Sequence, residues 1–237
     1  MNIALILSGG SGKRLDSNLP KQYIEVCGRP VFSYCLERMS AHEGIHAVQI
    51  AADPFWQKEI EEWIQRMGVG GKFRGFSEPG ITRQMSILHG LEDIRKYACE
   101  SDCVLIHDAV RPFLSEGQIT ACLDAAGRHD GAVPVLPMKD TVYRSRDRKR
   151  ITDLLARDEI YAGQTPEAFR LGPYYEANRQ LLPERILRIN GSTEPAVLAG
   201  MDIAVIPGDE DNFKITTKAD LERFQRIEEE KHKAEGM

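Results

Sequence analysis

The sequence predicts an α/β protein with a mostly parallel sheet, helices on its faces and a projecting β-arm, and three observations carry that expectation. An apolar run from Ile3 to Leu7 stops abruptly at Ser8 and opens into a loop with three glycines, Gly9, Gly10 and Gly12. That pattern reads as a buried strand emptying into a loop. Downstream, segments of strand composition alternate with segments of helical periodicity, the order that produces parallel strands with right-handed crossovers. The stretch 139–160 then breaks the alternation, setting β-formers such as Val142 and Ile151 among Arg144, Arg146, Arg148, Lys149 and Arg150, with little to build a core. It reads as a hairpin that leaves the body. A chain of 237 residues is long enough to bury a core as one large domain. Residues 1–237 are therefore expected to form a single Rossmann-like domain carrying 138–160 as an arm.

Taken in order, Pro30 to Ala41 places Val31, Tyr34, Cys35 and Leu36 at helical spacing. His46 to Ala52 reads as a strand, and Pro54 to Met67 as a helix with its proline near the start, where a missing N–H costs nothing. Lys72 to Phe76 is a short strand before the turn-rich Ser77-Glu78-Pro79-Gly80, and from Thr82 a long helix buries Met85, Ile87, Leu88, Leu91 and Ile94. Cys103 to Ile106 is a second buried strand, ending in His107-Asp108-Ala109-Val110-Arg111-Pro112, and Gly131 to Pro137 is another. Tyr161 to Phe169 brings the chain back from the arm, Pro173 to Leu182 is a helix, and Gly191 to Glu194 looks like a cap and first turn with Ser192 or Thr193 at the N-cap. Met201 to Ile206 is the last strand. Thr217 to His232 closes the chain as a charged helix with its acids early and its bases late, as the macrodipole favours.

Composition narrows the function classes. A net charge of −5 argues against nucleic acid as the main partner, since nucleic-acid binders usually carry a basic excess. Lys13, Arg14 and Lys21 nevertheless crowd one loop, which suggests a local anion site. The five cysteines are scattered and odd in number, and Cys99 and Cys103 have no nearby His or Cys pair to complete a zinc site. Reduced thiols in a cytoplasmic protein are the expectation. The apolar start is too short and lacks the basic flank of a signal peptide, and no segment approaches the roughly 20 apolar residues of a membrane span.

The glycine loop points to phosphate. Without a Cβ, glycine lets backbone N–H groups approach phosphate oxygens and accepts φ > 0. Two familiar phosphate loops are absent: a P-loop would need glycine where Leu7 stands and Ser or Thr where Arg14 stands, and the dinucleotide fingerprint would need glycine at Leu15. Asp108 follows a buried strand, at the rim where open α/β sheets bind ligands. A carboxylate facing polyphosphate suits Mg²⁺, which prefers oxygen ligands and substrate phosphates. The competing readings are an Asp that caps the next helix or pairs with Arg111, and for Lys13 and Lys214 ordinary solvated lysines.

Gly-Gly-x-Gly-x-Arg at 9–14 with Pro20-Lys21-Gln22, His107 to Pro112, Lys139-Asp140-Thr141, Gln164-Thr165-Pro166 and Asn212 to Thr216 together resemble a known family over nearly the whole chain. It is that of the cytidylyltransferases that activate 2-C-methyl-D-erythritol 4-phosphate for isoprenoid synthesis, with relatives acting on ribitol 5-phosphate. The resemblance implies attack of a polyol phosphate on the α-phosphorus of CTP, with Mg²⁺ and release of pyrophosphate. It implies that Arg14, Lys21 and Lys214 serve catalysis, and that Leu7, Ser8, Gly9, Gly10, Ser11, Gly12, Lys13, Gly80, Arg83, Ser86, Asp108 and Ala109 surround the nucleotide. Gly80, Arg83 and Ser86 match positions beside the cytosine. Arg111, Thr141 and Arg157 are implied for the acceptor, the last two acting across a homodimer joined by the arm, and Asp108 for the metal.

The chain departs from the family pattern at Thr193-Glu194-Pro195-Ala196, where the usual form is Thr-Asp-Glu/Asp-Ala. The acceptor motifs divide. Pro137 to Thr141 resembles the methylerythritol phosphate enzymes, whereas Ser8-Gly9-Gly10 and Tyr161 to Pro166 resemble the ribitol phosphate enzymes. The arm nearest the acceptor favours methylerythritol phosphate. Another sugar-phosphate nucleotidyltransferase is the enzymatic rival, and an idle nucleotide-binding module the non-enzymatic one.

Overall fold

The computed structural model describes residues 1–10 and 19–235. Strand β1 (Asn2–Leu7) is central because its period-two alternation feeds two cores at once: Ala4 and Ile6 enter one, Ile3 and Leu5 the other. After a small hairpin, β2 (Glu25–Val26) and β3 (Arg29–Pro30), come helix α1 (Val31–Ala41), β4 (Ala47–Ala51), α2 (Pro54–Met67), β5 (Phe73–Ser77), α3 (Arg83–Ile94), β6 (Cys103–Asp108), α4 (Glu116–Ala126) and β7 (Gly131–Pro137). The hairpin β8 (Val142–Arg144) and β9 (Asp153–Leu155) precedes β10 (Tyr161–Gly163), β11 (Glu167–Arg170), α5 (Leu171–Arg179), the short α6 (Glu194–Leu198), β12 (Ile203–Pro207) and α7 (Lys218–Glu235).

The main sheet has eight strands in the order β10-β7-β11-β6-β1-β4-β5, with β12 paired along β7. β6, β1, β4 and β5 run parallel, as does β12 with β7. The return from the arm differs from the simple alternation: β10 and β11 are antiparallel to their neighbours. A strand arriving from a hairpin rather than through a crossover helix has no need to run parallel. Phe32 and Leu36 of α1, Ile60 and Ile64 of α2 and Ile119 of α4 pack with Ala4 and Ile6; Ile87 and Leu91 of α3 and Tyr174 of α5 pack with Ile3 and Leu5. Each such buried aliphatic side chain contributes about 1.5–3 kcal/mol, so the sheet is clamped from both faces.

Local signals fix most boundaries. Asp53 accepts from the Phe55 N–H at 2.9 Å and Pro54 opens α2, which ends at Gly68 with φ 67. Thr82 accepts from the Met85 N–H at 3.2 Å to start α3, with Met85 itself only partly buried. The cap expected at 192–193 is different: Thr193 occupies the N-cap of α6 without a side-chain capping bond, and the Ser192 hydroxyl turns inward. On the arm, Val142 pairs with Leu155, and Tyr143, Ile151 and Leu154 are exposed.

Candidate functional site at the carboxyl rim

The register of the sheet places Leu7 opposite Asp108, so the loops after β1 and β6 leave the sheet side by side. Gln22, itself buried, donates to the Ser8 carbonyl and the Gly10 carbonyl, both at 2.7 Å, and so holds the beginning of the glycine loop. A Cβ on Gly9 would lie 2.4 Å from the Pro79 side chain. Gly9 is thus required by a close approach, and among the described residues nothing comes within 4 Å of a Cβ at Gly10. Ser11, Gly12, Lys13 and Arg14 lie outside the described residues.

Beyond the loop, Lys21 Nζ donates to the Ile215 carbonyl at 2.8 Å, which brings it to the segment that carries Lys214. Lys214 Nζ in turn lies 2.8 Å from Asp108 Oδ2, and Arg83 Nε donates to Asp108 Oδ1 at 2.9 Å. Burial alone would raise the Asp108 pKa, but the attractions of Arg83 and Lys214 outweigh it and hold the carboxyl well below the usual range. Asp108 is therefore an anion at any working pH. Neither alternative for it applies among the described residues, since Ser115 caps α4 and the Asp108 carboxylate pairs with Arg83 and Lys214 rather than Arg111.

On the far wall the Gly80 N–H donates to Ser86 Oγ at 2.9 Å. A Cβ at Gly80 would sit 2.2 Å from that of Met85, so only glycine lets this loop lie on the start of α3. The cleft enclosed between the walls has a volume of about 510 Å³, and Leu7, Gly9, Gly10, Lys21, Gly80, Arg83, Ser86, Asp108 and Lys214 all line it. Among the described residues, Lys21, Arg83 and Lys214 line the cleft together with the Asp108 carboxylate, a set of groups suited to an anionic ligand. Ser8 and Ala109 are buried behind the wall: the Ser8 hydroxyl donates to Tyr23 at 3.1 Å and the Ala109 N–H to the Leu7 carbonyl at 3.1 Å.

Arg111 is buried, with Nη1 donating to the Asn212 carbonyl at 2.6 Å. Thr141 and Arg157 do not line the cleft; Thr141 is exposed, and Arg157 Nη1 donates to the Lys139 carbonyl at 3.2 Å at the base of the arm. His107, kept as a structural residue on sequence grounds, is buried between Thr165 and the Arg111 carbonyl. Thr165 Oγ1 accepts from the Asp108 N–H at 3.2 Å and gives its own proton to His107 Nδ1, so the ring carries its proton on Nε2 toward Arg111. Burial lowers the His107 pKa to about 4, and the ring is neutral at pH 7.

Several residues that shape the cleft were given no role from the sequence, although Gln164 lies in one of its motifs. Gln164 donates to the Asp209 and Asn212 carbonyls at 2.8 and 3.4 Å and accepts from the Asp209 N–H at 2.9 Å, clamping the loop that leads to Lys214. Gly208 passes so close that a Cβ would come within 2.6 Å of Gln164 Oε1. Glu167 and Ser192 back Arg83 from inside the protein. By contrast Glu194, marked in the sequence as a lengthened acid, accepts from the Asn190 N–H at 3.0 Å within its own turn.

No group of three or more His, Cys, Asp or Glu converges on a metal position among the described residues. Among the described residues, Asp108 alone offers a carboxylate at the cleft. One such group is enough for a Mg²⁺ that keeps water and substrate phosphates as its other ligands. The donor set therefore fits a metal brought with a nucleotide and not one held by the protein alone.

Comparison with known proteins gives the family. A protein of Geobacter metallireducens named 2-C-methyl-D-erythritol 4-phosphate cytidylyltransferase is 36% identical over 226 residues, covering 92% of this chain and 93% of its own. A bifunctional enzyme IspD/IspF of Bradyrhizobium diazoefficiens is 34% identical over 219 residues, 92% of this chain, and the chain spans about half the length of that and similar curated relatives (54% in this case). A ribitol-5-phosphate cytidylyltransferase of Streptococcus agalactiae matches at 28% over 228 residues, 96% of this chain and 95% of its own. Among solved structures, the 4-diphosphocytidyl-2C-methyl-D-erythritol synthase of Anaerococcus prevotii superposes with a TM-score of 0.81 at 26% identity, covering 97% of this chain and 96% of that one. The family model for 2-C-methyl-D-erythritol 4-phosphate cytidylyltransferase matches residues 2–230, and the chain belongs to that family.

Proposed function

We propose that the chain transfers CMP from CTP to 2-C-methyl-D-erythritol 4-phosphate. An oxygen of the acceptor phosphate forms a bond to the α-phosphorus of CTP while the bond to the β-phosphate oxygen breaks, and pyrophosphate leaves with that electron pair. The acceptor monoester, with a second pKa near 6, is mostly dianionic at pH 7 and needs no general base. What the reaction requires is alignment and positive charge around a crowded anion. The observation that carries this reading is the meeting of Lys21 and Lys214 on a cleft walled by glycine backbone.

Lys21 and Lys214 are assigned to the charge that grows on the α-phosphate, Arg14 and the amides of residues 9–12 to the β and γ phosphates. Gly80, Arg83 and Ser86 are assigned to the cytosine end. Mg²⁺, held by nucleotide phosphates with Asp108 as the protein contact, would supply further charge neutralisation. Arg111, Thr141 and Arg157 are assigned to the acceptor, with Thr141 and Arg157 reaching the site of a second copy through a homodimer built on residues 138–160. The exposed Tyr143, Ile151 and Leu154 support such a contact, since a lone two-stranded hairpin is marginal in water. CTP is an intracellular nucleotide, so the reaction is placed in the cytoplasm, in keeping with five free thiols.

Ribitol 5-phosphate is the second reading, favoured by the Ser8-Gly9-Gly10 and Tyr161 to Pro166 motifs; the higher identity to the methylerythritol phosphate relative weighs against it. kcat/KM with CTP and each acceptor in parallel tests the choice. A preference for ribitol 5-phosphate would reverse the acceptor, and absence of pyrophosphate release with either would reject the reaction.

A further inference from the structure

Glu167 is a buried carboxylate that no step of the proposed reaction uses. It stands on β11 opposite Ile106 of β6. Two residues further along β6 is Asp108, so both carboxylates lie on the face of the sheet that α3 covers. Arg83, the first residue of α3, sits between them. Its Nε donates to Asp108 Oδ1 at 2.9 Å and its Nη1 to Ser192 Oγ at 2.9 Å, and the Ser192 hydroxyl donates to Glu167. The Ser192 backbone is held as well, because Tyr174 OH donates to its carbonyl at 2.7 Å. One unbroken chain of polar contacts therefore runs from Glu167 through Ser192, Arg83 and Asp108 to Lys214.

The cost of the arrangement indicates that it has a task. A carboxyl with 7% of its surface exposed and, among the described residues, no ion pair is expensive to bury. Burial raises its pKa, and the attraction of Arg83 and the Ser192 hydroxyl oppose that shift. A serine hydroxyl has one proton; giving it to Glu167 leaves only lone pairs toward Arg83, so the guanidinium meets an acceptor whose polarity Glu167 has fixed. Without Glu167 the hydroxyl can rotate and present its proton to Arg83, or accept a different angle. Arg83 would then be free to move its weight toward Asp108, which shares its two oxygens between Arg83 and Lys214.

We infer that Glu167, through Ser192, is the positioning residue that sets Arg83 and thereby the Asp108–Lys214 pair of the cleft. The inference deepens the proposed reaction and rests on it for its kinetic readout. Glu167 touches no reacting atom. The same path connects the end of the cleft near Gly80 and Ser86 to the end near Lys214, so its loss is expected to appear in kcat more than in the KM for the acceptor.

The test uses the full chain with Glu167→Gln, Ser192→Ala and Ser192→Thr, each also in an Arg83→Ala background. Glu167→Gln and Ser192→Ala are expected to lower kcat on the order of tenfold, as misplacement of a working group does, while Ser192→Thr, which keeps the hydroxyl, restores most of it. In the Arg83→Ala protein the Glu167→Gln change is expected to shift kcat by less than about twofold, since coupled residues are not additive. Wild-type kcat in Glu167→Gln, or a full tenfold loss that persists without Arg83, would overturn the inference. Should Glu167→Gln fail to fold, Ser192→Ala carries the same test. A readout free of turnover is the Arg83 Nε–H resonance, identified by its loss in Arg83→Ala. It is expected to move in Ser192→Ala, and an unmoved resonance counts against the linkage even if the wild-type protein proves inert toward CTP, a result that would reject the reaction instead.

Discussion

Asp108, 6% exposed, takes Arg83 and Lys214 at 2.9 and 2.8 Å, whereas Asp153 on the arm is nearly half exposed and lies 3.7 Å from Arg144. The cleft holds its charges against one another through buried contacts that reach back to Gln164 and Glu167. The arm pairs its charges loosely at the surface, as with Arg157 and Asp158 at 3.7 Å, and shows Tyr143, Ile151 and Leu154 to solvent. Surface pairs of this kind contribute about 0–1 kcal/mol. The described walls of the cleft thus hold one another in place, whereas the arm leaves apolar side chains uncovered. Preorganised charge suits stabilisation of a transition state; an uncommitted surface suits association.

The largest effects should come from the cleft. Lys21→Ala and Lys214→Ala are each expected to lower kcat on the order of a hundredfold or more, as loss of a donor aimed at developing charge does. Lys214→Ala should also lose stability, but less than the roughly 3–5 kcal/mol of an orphaned buried charge, because Arg83 still faces Asp108. Near-normal turnover in both variants would break the contrast by removing the two lysines from the chemistry. The arm is probed by mixing Arg157→Ala with Lys21→Ala protein. If each site is completed by a partner's arm, mixed dimers regain activity that neither parent has; no recovery despite measured subunit exchange would confine the site to one chain.

A smaller effect separates scaffold from chemistry within the cleft. Gln164→Leu removes the clamp on the Asp209 and Asn212 backbone. Leaving such groups without partners costs about 1–3 kcal/mol, and kcat is expected to fall about tenfold through displacement of the Lys214 loop. Thermal unfolding and kcat measured on the same preparation check both. A stability loss with unchanged kcat would show that the loop is held elsewhere.

What could be read from the sequence follows the same division. Helix α2 was legible from Pro54 to Met67 because a proline near a helix start is a local signal; the Asp53 cap and the Gly68 end, which the sequence reading did not use, are local as well. The central strand and the rim position of Asp108 were legible because apolar runs and strand ends are local too. The orientation of β10 and β11 was not, since antiparallel pairing with β7 is a choice among partners far apart in sequence. Neither was Ser192: as a serine before Glu194 it has the form of a cap, yet a buried carboxylate 25 positions earlier takes its hydroxyl. Side chains that serve another side chain leave no spacing to read. Glu194 is the converse, since its sequence position drew notice while its carboxylate serves only its own turn.

Acid probes the buried region in a second way. His107 is neutral in the fold, its pKa lowered to about 4, so the unfolded chain binds a proton first as pH falls below the ordinary value near 6.5. The stability this group contributes is fully present above about pH 6.5 and is lost as pH falls toward 4, by roughly 3 kcal/mol at 1.36 kcal/mol per pH unit. Asp108, lowered as well, adds loss in the same direction at still lower pH. His107→Gln, which can still donate toward the Arg111 carbonyl, is expected to flatten the fall in unfolding temperature between pH 6.5 and 4. An equally steep fall in that variant would assign the acid sensitivity to other groups.

The least effect is expected at the tip of the arm. Asp147 organises the turn: its Oδ1 accepts from the Lys149 and Arg150 N–H groups, both at 2.9 Å, and the Ser145 hydroxyl adds a contact at 3.3 Å. The cationic side chains of Arg146 and Lys149 take no part in those bonds, so replacing both with serine leaves the turn its backbone contacts. Stability should stay within about 0.5 kcal/mol, the usual range for surface substitutions, and kcat should not change. The informative quantity is the KM for the acceptor phosphate at low and high salt. If the tip only borders solvent, KM is the same as in the unsubstituted protein at both. A rise in KM confined to low salt would mean that the tip's charge reaches a phosphate site within about a Debye length of 10 Å, and the arm would then belong with the cleft as part of the machinery that gathers the acceptor.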